Sequence, residues 1–134
     1  MTLEKIIGWS ESFTDEVQTE SFALSFANNA IAEINTEAGL KLPFIEDLET
    51  DYTALPESWF VRLMVPYLNY GIKMNDTSVG EADRYLQQFQ IALIKFKDNA
   101  RNLVDEEFVN LDEPNMFKMD TSNSIDIGWF GGFR

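Results

Sequence analysis

Apolar residues recur every three or four positions along two long stretches of the chain, which is the spacing of a helix rather than of a strand. The first stretch predicts a helix over about 16–38, with Gly39 as its C-cap and Pro43 blocking any continuation. Its stripe consists of Phe22, Phe26, Ala30, Ile31 and Ile34.

The second stretch predicts a helix over about 79–104, with charged and amide side chains on its other side. Ser78 and Glu81 have the spacing of a capping box at its start. The apolar stripe consists of Ala82, Tyr85, Leu86, Phe89, Leu93, Phe96, Ala100, Leu103 and Val104. Both this stripe and the first one predict helix–helix core, with the lining of a ligand pocket as the alternative.

A third helix is predicted to open at Leu55-Pro56-Glu57, because Pro and Glu both suit a first helical turn. Residues 59–68 are apolar almost all round, which is typical of a central, buried helix. Pro66 should kink this helix by removing the hydrogen bond to Arg62, and the helix should end near Tyr70-Gly71.

The remaining elements are short. A helix is expected over about 3–8, capped by Thr2 and ended by Gly8, with residues 9–15 as a loop. Residues 40–54 read as a long acidic surface connection, and residues 105–108 as one further turn. The predicted fold class is therefore all-α, a small helical bundle of three main helices plus short helices over residues 1–109.

Residues 110–134 have no helical period and are predicted to form an extended C-terminal docking tail. The tail is too apolar for an ordinary disordered terminus, so its apolar side chains need a surface to bind. It could fold back on its own bundle, or dock on another chain, through its aromatic and Arg anchors or by adding a strand to the partner's sheet edge. We favour docking on another chain, through Ile125, Ile127, Trp129, Phe130, Phe133 and Arg134.

Composition excludes several kinds of chemistry. The chain has no Cys and no His, which excludes disulfides, thiol catalysis and any Ser-His-Asp site. The formal net charge of −13 makes general nucleic-acid binding unfavourable. No apolar run is long enough to span a membrane, and residues 1–5 lack the features of a signal peptide.

Acidic residues are the remaining candidates for metal or catalytic chemistry. Glu46 and Asp47 are adjacent, as are the three acids of residues 105–107, but no loop has EF-hand spacing and no phosphate-binding loop is present. We therefore expect no enzymatic activity, no metal and no cofactor.

A long helix ends in Glu37-Ala38-Gly39-Leu40, an irregular connection leads to Ala54-Leu55-Pro56-Glu57, and a buried helix, an amphipathic helix and a non-helical tail follow. This order of elements resembles that of the small head–tail connector (adaptor or head-completion) proteins of long-tailed bacteriophages and prophages. The likeness covers about residues 15–134.

The resemblance implies a non-enzymatic virion protein at the head–tail interface, made in the host cytoplasm. About twelve copies would assemble as a ring beneath the portal protein and extend the DNA channel towards a tail-side stopper or terminator protein. In this family the C-terminal tail commonly reaches a neighbouring subunit or the portal, a role that would fall here on residues 125–134. This chain departs from the family in its strongly acidic charge and its aromatic-rich tail.

Acidic charge is compatible with a DNA channel, because a wall of like charge lets genomic DNA pass without specific binding. Glu46, Asp47, Glu49 and Asp51 are the candidate channel-facing acids, and the acids of residues 105–107 are a second set. The main alternative is an acidic DNA mimic that inhibits a DNA-binding enzyme. A metal-dependent enzyme that uses only carboxylates ranks third.

Overall fold

The structure, a computed structural model, describes residues 1–75 and 78–110 of the chain. This part is all-α, as the sequence predicts. It contains the helices α1 (Leu3–Thr14), α2 (Glu20–Ala38), α3 (Glu57–Asn75), α4 (Val79–Lys97) and α5 (Ala100–Leu103), followed by a 3₁₀ turn at Glu106–Phe108. The predicted tail and its six docking residues lie outside the described residues, so both stay predictions.

Helix α3 is the centre of the bundle and packs against α1, α2 and α4. The Phe60, Leu63, Met64 and Leu68 side chains are fully buried, which confirms the predicted central helix. The helix runs through Pro66 and ends at Asn75 rather than near Tyr70-Gly71, since Gly71 and Ile72 are still buried against the bundle.

Helix α1 is longer than predicted. It passes through Gly8 and ends at Thr14, with Asp15 as a C-cap in the left-handed conformation (φ 57°), so the predicted loop over residues 9–15 is wrong. The reason is a buried face whose polar members the sequence pattern did not reveal. Ser10 is fully buried and its Oγ donates a hydrogen bond of 2.6 Å to Asn69 Oδ1 on α3.

Helix α2 begins at Glu20, four residues later than predicted. Thr19 is its N-cap, and the Thr19 hydroxyl accepts a hydrogen bond of 3.2 Å from Phe22 N. The residues before the helix are held by a side-chain contact rather than by helical hydrogen bonds, since the Glu16 carboxylate pairs with Lys73 Nζ at 2.7 Å. At the other end Gly39 has φ 67° and is the predicted C-cap.

The predicted helix over 79–104 is divided in two. Asn99 N donates to Phe96 O, three residues back, which tightens the last turn of α4 before α5 begins. The predicted capping box at Ser78 does not form, since Ser78 adopts ψ 69° rather than an extended conformation and makes no side-chain cap hydrogen bond. The predicted turn near 105–108 is confirmed as the 3₁₀ turn.

Candidate interaction surfaces

One flank of α2 is covered by the connection that the sequence marks as a surface loop. Asn28 Nδ2 donates to Ile45 O at 2.9 Å, and Ile45 N donates to Asn28 Oδ1 at 2.7 Å. Asn35, two turns further along, makes the same pair of bonds with Leu42, at 3.2 and 2.8 Å. The two amides therefore hold the backbone of residues 42–45 along the helix, much as a neighbouring strand would.

Tyr52 anchors the second half of this connection. Its ring stacks on Phe60 of α3 with a centroid distance of 5.1 Å, and its hydroxyl donates to Pro43 O at 2.6 Å. Burial raises the pKa of Tyr52 well above its ordinary value of 10. The connection thus contributes to the core, and its buried apolar residues are Leu40, Leu42, Ile45, Tyr52, Ala54 and Leu55.

The acidic segment, which we define as residues 46–51, lies on this covered flank. The Glu46, Asp47, Glu49 and Asp51 side chains are all exposed, as a channel-facing role would require. Asp47 also has a structural task. Its carboxylate accepts hydrogen bonds from Glu49 N, Thr50 N and Thr50 Oγ1, at 2.8–2.9 Å.

These bonds lower the pKa of Asp47, chiefly through the Thr50 side chain. Asp51 is fixed as well, because the Met1 amino nitrogen lies 3.3 Å from its Oδ1. Backbone bonds join the segment to the start of α1, where Glu4 N donates to Leu48 O at 3.0 Å. The backbone of the segment is therefore held by these bonds, and Glu46 and Glu49 are the two of its acids whose carboxylates make no described bond.

The end of the described chain lies beside the C-terminus of α2. Lys41 N donates to Phe108 O at 2.7 Å, and Asn110 N donates to Gly39 O at 3.0 Å. Leu40 and Val109, between these bonds, face each other as an antiparallel bridge and are both buried. Residues 111–134 therefore start from this end of the bundle.

The other flank of α2 borders an open groove, which we call the α2–α4 groove. It has a volume of about 470 Å³ and runs between α2 and α4, above α3. Its lining residues are Glu33, Glu37, Tyr67, Tyr70, Leu86, Phe89, Gln90, Leu93, Ile94 and Lys97. The predicted apolar stripes therefore contribute both to the core and to the groove. Ile34 and Phe96 are wholly in the core, while the nearly buried Phe89 and Leu93 also line the groove.

The electrostatics of the groove are set by α2. Glu33 and Glu37 are exposed and one turn apart, and Glu37 pairs weakly with Lys97 at 3.9 Å. The pKa of Tyr67 is raised, mainly by burial and next by the negative charge of Glu33. With two carboxylates against the single ammonium of Lys97, the lining of the groove is on balance anionic.

Several large apolar side chains of the described residues are exposed, and the sequence pattern did not single them out as surface features. Trp9 and Phe13 lie one turn apart on α1, in the stretch over which the sequence predicts a loop. Ile94 is 58% exposed at the edge of the α2–α4 groove, and Phe44 is also 58% exposed, on the covered flank. The signal that could have identified Trp9 and Phe13 is their spacing of four.

In residues 1–75 and 78–110, the features that would indicate a metal site or a membrane span are absent. No three Asp or Glu side chains in this part are grouped so that they could hold a metal ion. None of its helices is both long and apolar enough to cross a membrane.

Comparison of the chain with protein-family models, curated proteins and solved structures gave no match.

Proposed function

We propose that this protein is a structural head–tail connector of a tailed phage, which assembles as a ring of about twelve copies beneath the portal. Its all-α fold and the order of its long helices agree with that proposal. Helix α2 ends at Gly39, an irregular connection follows, and α3 opens after Pro56 as the buried centre of the bundle.

The observation that carries the proposal is the acidic segment. Four carboxylates are exposed on a short stretch whose backbone is fixed to α1 and whose apolar neighbours are fixed to α2. Repeated around a ring, such a surface would give a smooth anionic wall. Passing DNA would be repelled at every copy, whereas Lys or Arg at these positions would bind its phosphates.

In this proposal the protein has no enzymatic role, and its partners are further copies of itself, the portal and a tail-side stopper or terminator protein. The sequence-predicted docking residues Ile125, Ile127, Trp129, Phe130, Phe133 and Arg134 supply contacts to a neighbouring copy or to the portal. Large aromatic side chains and Arg are the residue types that most often dominate binding energy at protein interfaces.

A deletion of the gene in the phage that encodes it tests the proposal directly. We expect electron microscopy of the lysate to show DNA-filled heads separate from finished tails. Intact, joined virions would contradict the proposal. Salt-sensitive binding to a basic DNA-binding enzyme would then favour the DNA-mimic alternative.

Charge reversal tests the role of the acidic segment separately. Glu46→Lys/Glu49→Lys changes the two acids of the segment whose carboxylates make no described bond, so rings should still form. We expect these rings to bind DNA and to lower phage titre at least tenfold. The matched control, Asp83→Lys/Asp98→Lys, makes the same charge change at exposed positions of α4 and beside it. Equal titres for the two variants would exclude a channel-lining role for this segment.

A further inference from the structure

The α2–α4 groove has two chemically different walls. Helix α2 supplies the carboxylates of Glu33 and Glu37, while α4 supplies Leu86, Leu93 and the exposed Ile94 together with Gln90 and Lys97. Lys97 pairs weakly with Glu37 at 3.9 Å, so Glu33 is the carboxylate of the lining without a described cation partner. The tyrosines of α3, Tyr67 and Tyr70, pack edge to face on the floor with a centroid distance of 5.6 Å. A ligand that fits both walls must bring large apolar side chains together with a cationic group.

The chain itself contains a segment with this chemistry. Residues 125–134 carry five large apolar side chains and end in Phe133-Arg134, with Asp126 as the one acid. The segment has no net formal charge on its side chains, unlike the strongly acidic chain as a whole, so it can approach the acidic bundle without the general repulsion.

The form of the acceptor follows from the fold. The described residues contain helices and no strand of a sheet, so they offer no sheet edge to which an extended segment could add. A segment that binds this part of the chain must therefore dock through its side chains in a groove.

We propose that the α2–α4 groove of one subunit binds residues 125–134 of a neighbouring subunit. Trp129 and Phe133 would pack on Leu86 and Ile94, and the Arg134 guanidinium would pair with Glu33 or Glu37. This assignment rests on the proposed function, since a ring is what places a second copy beside the groove.

The position of the described chain's end agrees with this assignment. Asn110 is hydrogen-bonded to Gly39, two residues beyond Glu37, which with Lys97 forms one end of the groove. Residues 111–124 could span at most about 50 Å when fully extended. By comparison, α3 with its 19 residues is about 28 Å long. The linking residues are therefore long enough to reach the groove of an adjacent bundle.

Engineered cysteines give a direct test, because the natural chain has none that could interfere. An Ile94→Cys subunit is mixed with a Phe133→Cys subunit, both as full chains, and oxidised. The matched control replaces Ile94→Cys by Phe44→Cys, which has the same exposure of 58% but lies on the opposite flank of α2. We expect at least tenfold more disulfide-linked dimer with Ile94→Cys than with Phe44→Cys.

The double variant Ile94→Cys/Phe133→Cys in one chain distinguishes a neighbour's groove from the chain's own groove. Docking between copies predicts a ladder of linked multimers on a denaturing gel. A product of monomer size alone would mean that each tail binds its own bundle, and would overturn the proposal. Equal dimer yields with Ile94→Cys and Phe44→Cys would overturn it as well.

Charge exchange tests the arginine contact. Glu33→Arg/Glu37→Arg in the Ile94→Cys subunit should lower the dimer yield about tenfold, and so should Arg134→Glu in the Phe133→Cys subunit. Mixing the two charge-changed subunits should restore the yield. If neither Glu33→Arg/Glu37→Arg alone nor Arg134→Glu alone lowers the dimer yield, the assigned pairing is excluded.

The outcome is separable from that of the connector proposal. Rings and portal binding without the specific linkage would refute the groove assignment and leave the connector intact. Specific linkage in a protein whose deletion leaves virions joined would support the groove as a self-assembly site and refute the connector.

Discussion

The two flanks of α2 solve the same packing problem in opposite ways. On one flank, Asn28 and Asn35 hold the backbone of residues 42–45 against the helix with four hydrogen bonds. On the other flank, Phe26 packs on Tyr67 and Tyr70, but further along the helix the space between α2 and α4 is an open groove. One flank is covered by the chain itself, and the other is left open along Glu33 and Glu37.

The difference shows that two polar side chains, rather than further apolar ones, decide which flank of α2 the connection covers. Nothing in the sequence pattern distinguishes Asn28 and Asn35 from other polar residues. Each nevertheless bonds both the N–H and the C=O group of one residue in the connection, and these backbone groups would otherwise need water as a partner. Among the described residues, no side chain of α2 holds a segment of backbone along the open flank in this way, and its exposed carboxylates and Ile94 remain accessible to a partner. The following predictions test this contrast.

The largest effect is expected from removing both amides of the covered flank. Asn28→Ala/Asn35→Ala leaves the N–H and C=O groups of Leu42 and Ile45 without partners, which should lower the free energy of unfolding by about 3 kcal/mol. Urea denaturation followed by circular dichroism measures the change. Asn29→Ala is the matched control, because Asn29 is exposed on the same helix and its replacement should cost less than about 0.5 kcal/mol. Equal losses for the two variants would show that the amides do not hold the connection.

A smaller loss is expected from crowding the packed part of the open flank. A Cβ at Gly71 would lie 2.9 Å from two atoms of the Phe26 ring, which is itself held against Tyr67 and Tyr70. Gly71→Ala should therefore lower the unfolding free energy by about 1–2 kcal/mol, even after the gain in helix propensity. Thermal unfolding measures the effect.

Gly8→Ala is the control for that substitution. Gly8 also lies within a helix, but no atom lies within 4 Å of its added Cβ. The same change should raise the unfolding free energy there by about 0.5–1 kcal/mol. If Gly71→Ala is stabilising too, the contact between Phe26 and Gly71 is not tight.

Tyr52→Phe probes the covered flank through its pH dependence. At neutral pH the loss of the bond to Pro43 O should cost about 1 kcal/mol. The raised pKa of Tyr52 means that the fold favours the neutral phenol, so this stabilisation is full below pH 10 and is lost as the pH rises above it. Removing the phenol should therefore make the loss of stability above pH 10 less steep, as urea midpoints between pH 8 and 11 would show. An unchanged slope would mean that Tyr52 ionises as readily in the folded state as in the unfolded state.

The smallest effect on stability is expected at the open groove. Ile94→Glu changes a side chain that is 58% exposed, so in dilute protein the unfolding free energy should change by less than about 0.5 kcal/mol. Leu93→Glu is the contrasting variant, because Leu93 is buried and a charge there should cost several kcal/mol. A loss of more than 1 kcal/mol at Ile94 in the dilute protein would mean that the groove is part of the core.

The long helices and the central place of α3 could be predicted because they depend on local spacing. Phe60, Leu63 and Leu68 repeat at helical intervals, and Pro56 and Gly39 mark helix ends by their backbone preferences. The second half of α1, residues 9–14, escaped prediction because its buried face includes Ser10 and Thr14. Their polarity is satisfied by partners elsewhere, Asn69 for Ser10 and the Ser10 carbonyl for Thr14. The break between α4 and α5 after Lys97 could not be predicted either, since the apolar stripe continues across it to Ala100 and Leu103.

The interaction surfaces were predictable only in part. Runs of acidic residues can be read directly, and the exposure of Glu46 and Glu49 agrees with that reading. The turn that Asp47 closes is local, since its partners are Glu49 and Thr50. The groove between the α2 carboxylates and Ile94 depends instead on residues distant in sequence becoming neighbours.

The sequence by itself determined the fold class, the positions of the main helices, the absence of His and Cys chemistry and the strongly acidic charge. These properties follow from residue type and short-range periodicity. The tertiary structure decided which flank of α2 is covered, which polar side chains are buried and where an open groove remains. Those outcomes depend on pairings across tens of residues, such as Asn28 with Ile45, Ser10 with Asn69 and Gly39 with Asn110, whose hydrogen bonds form only once the chain has folded.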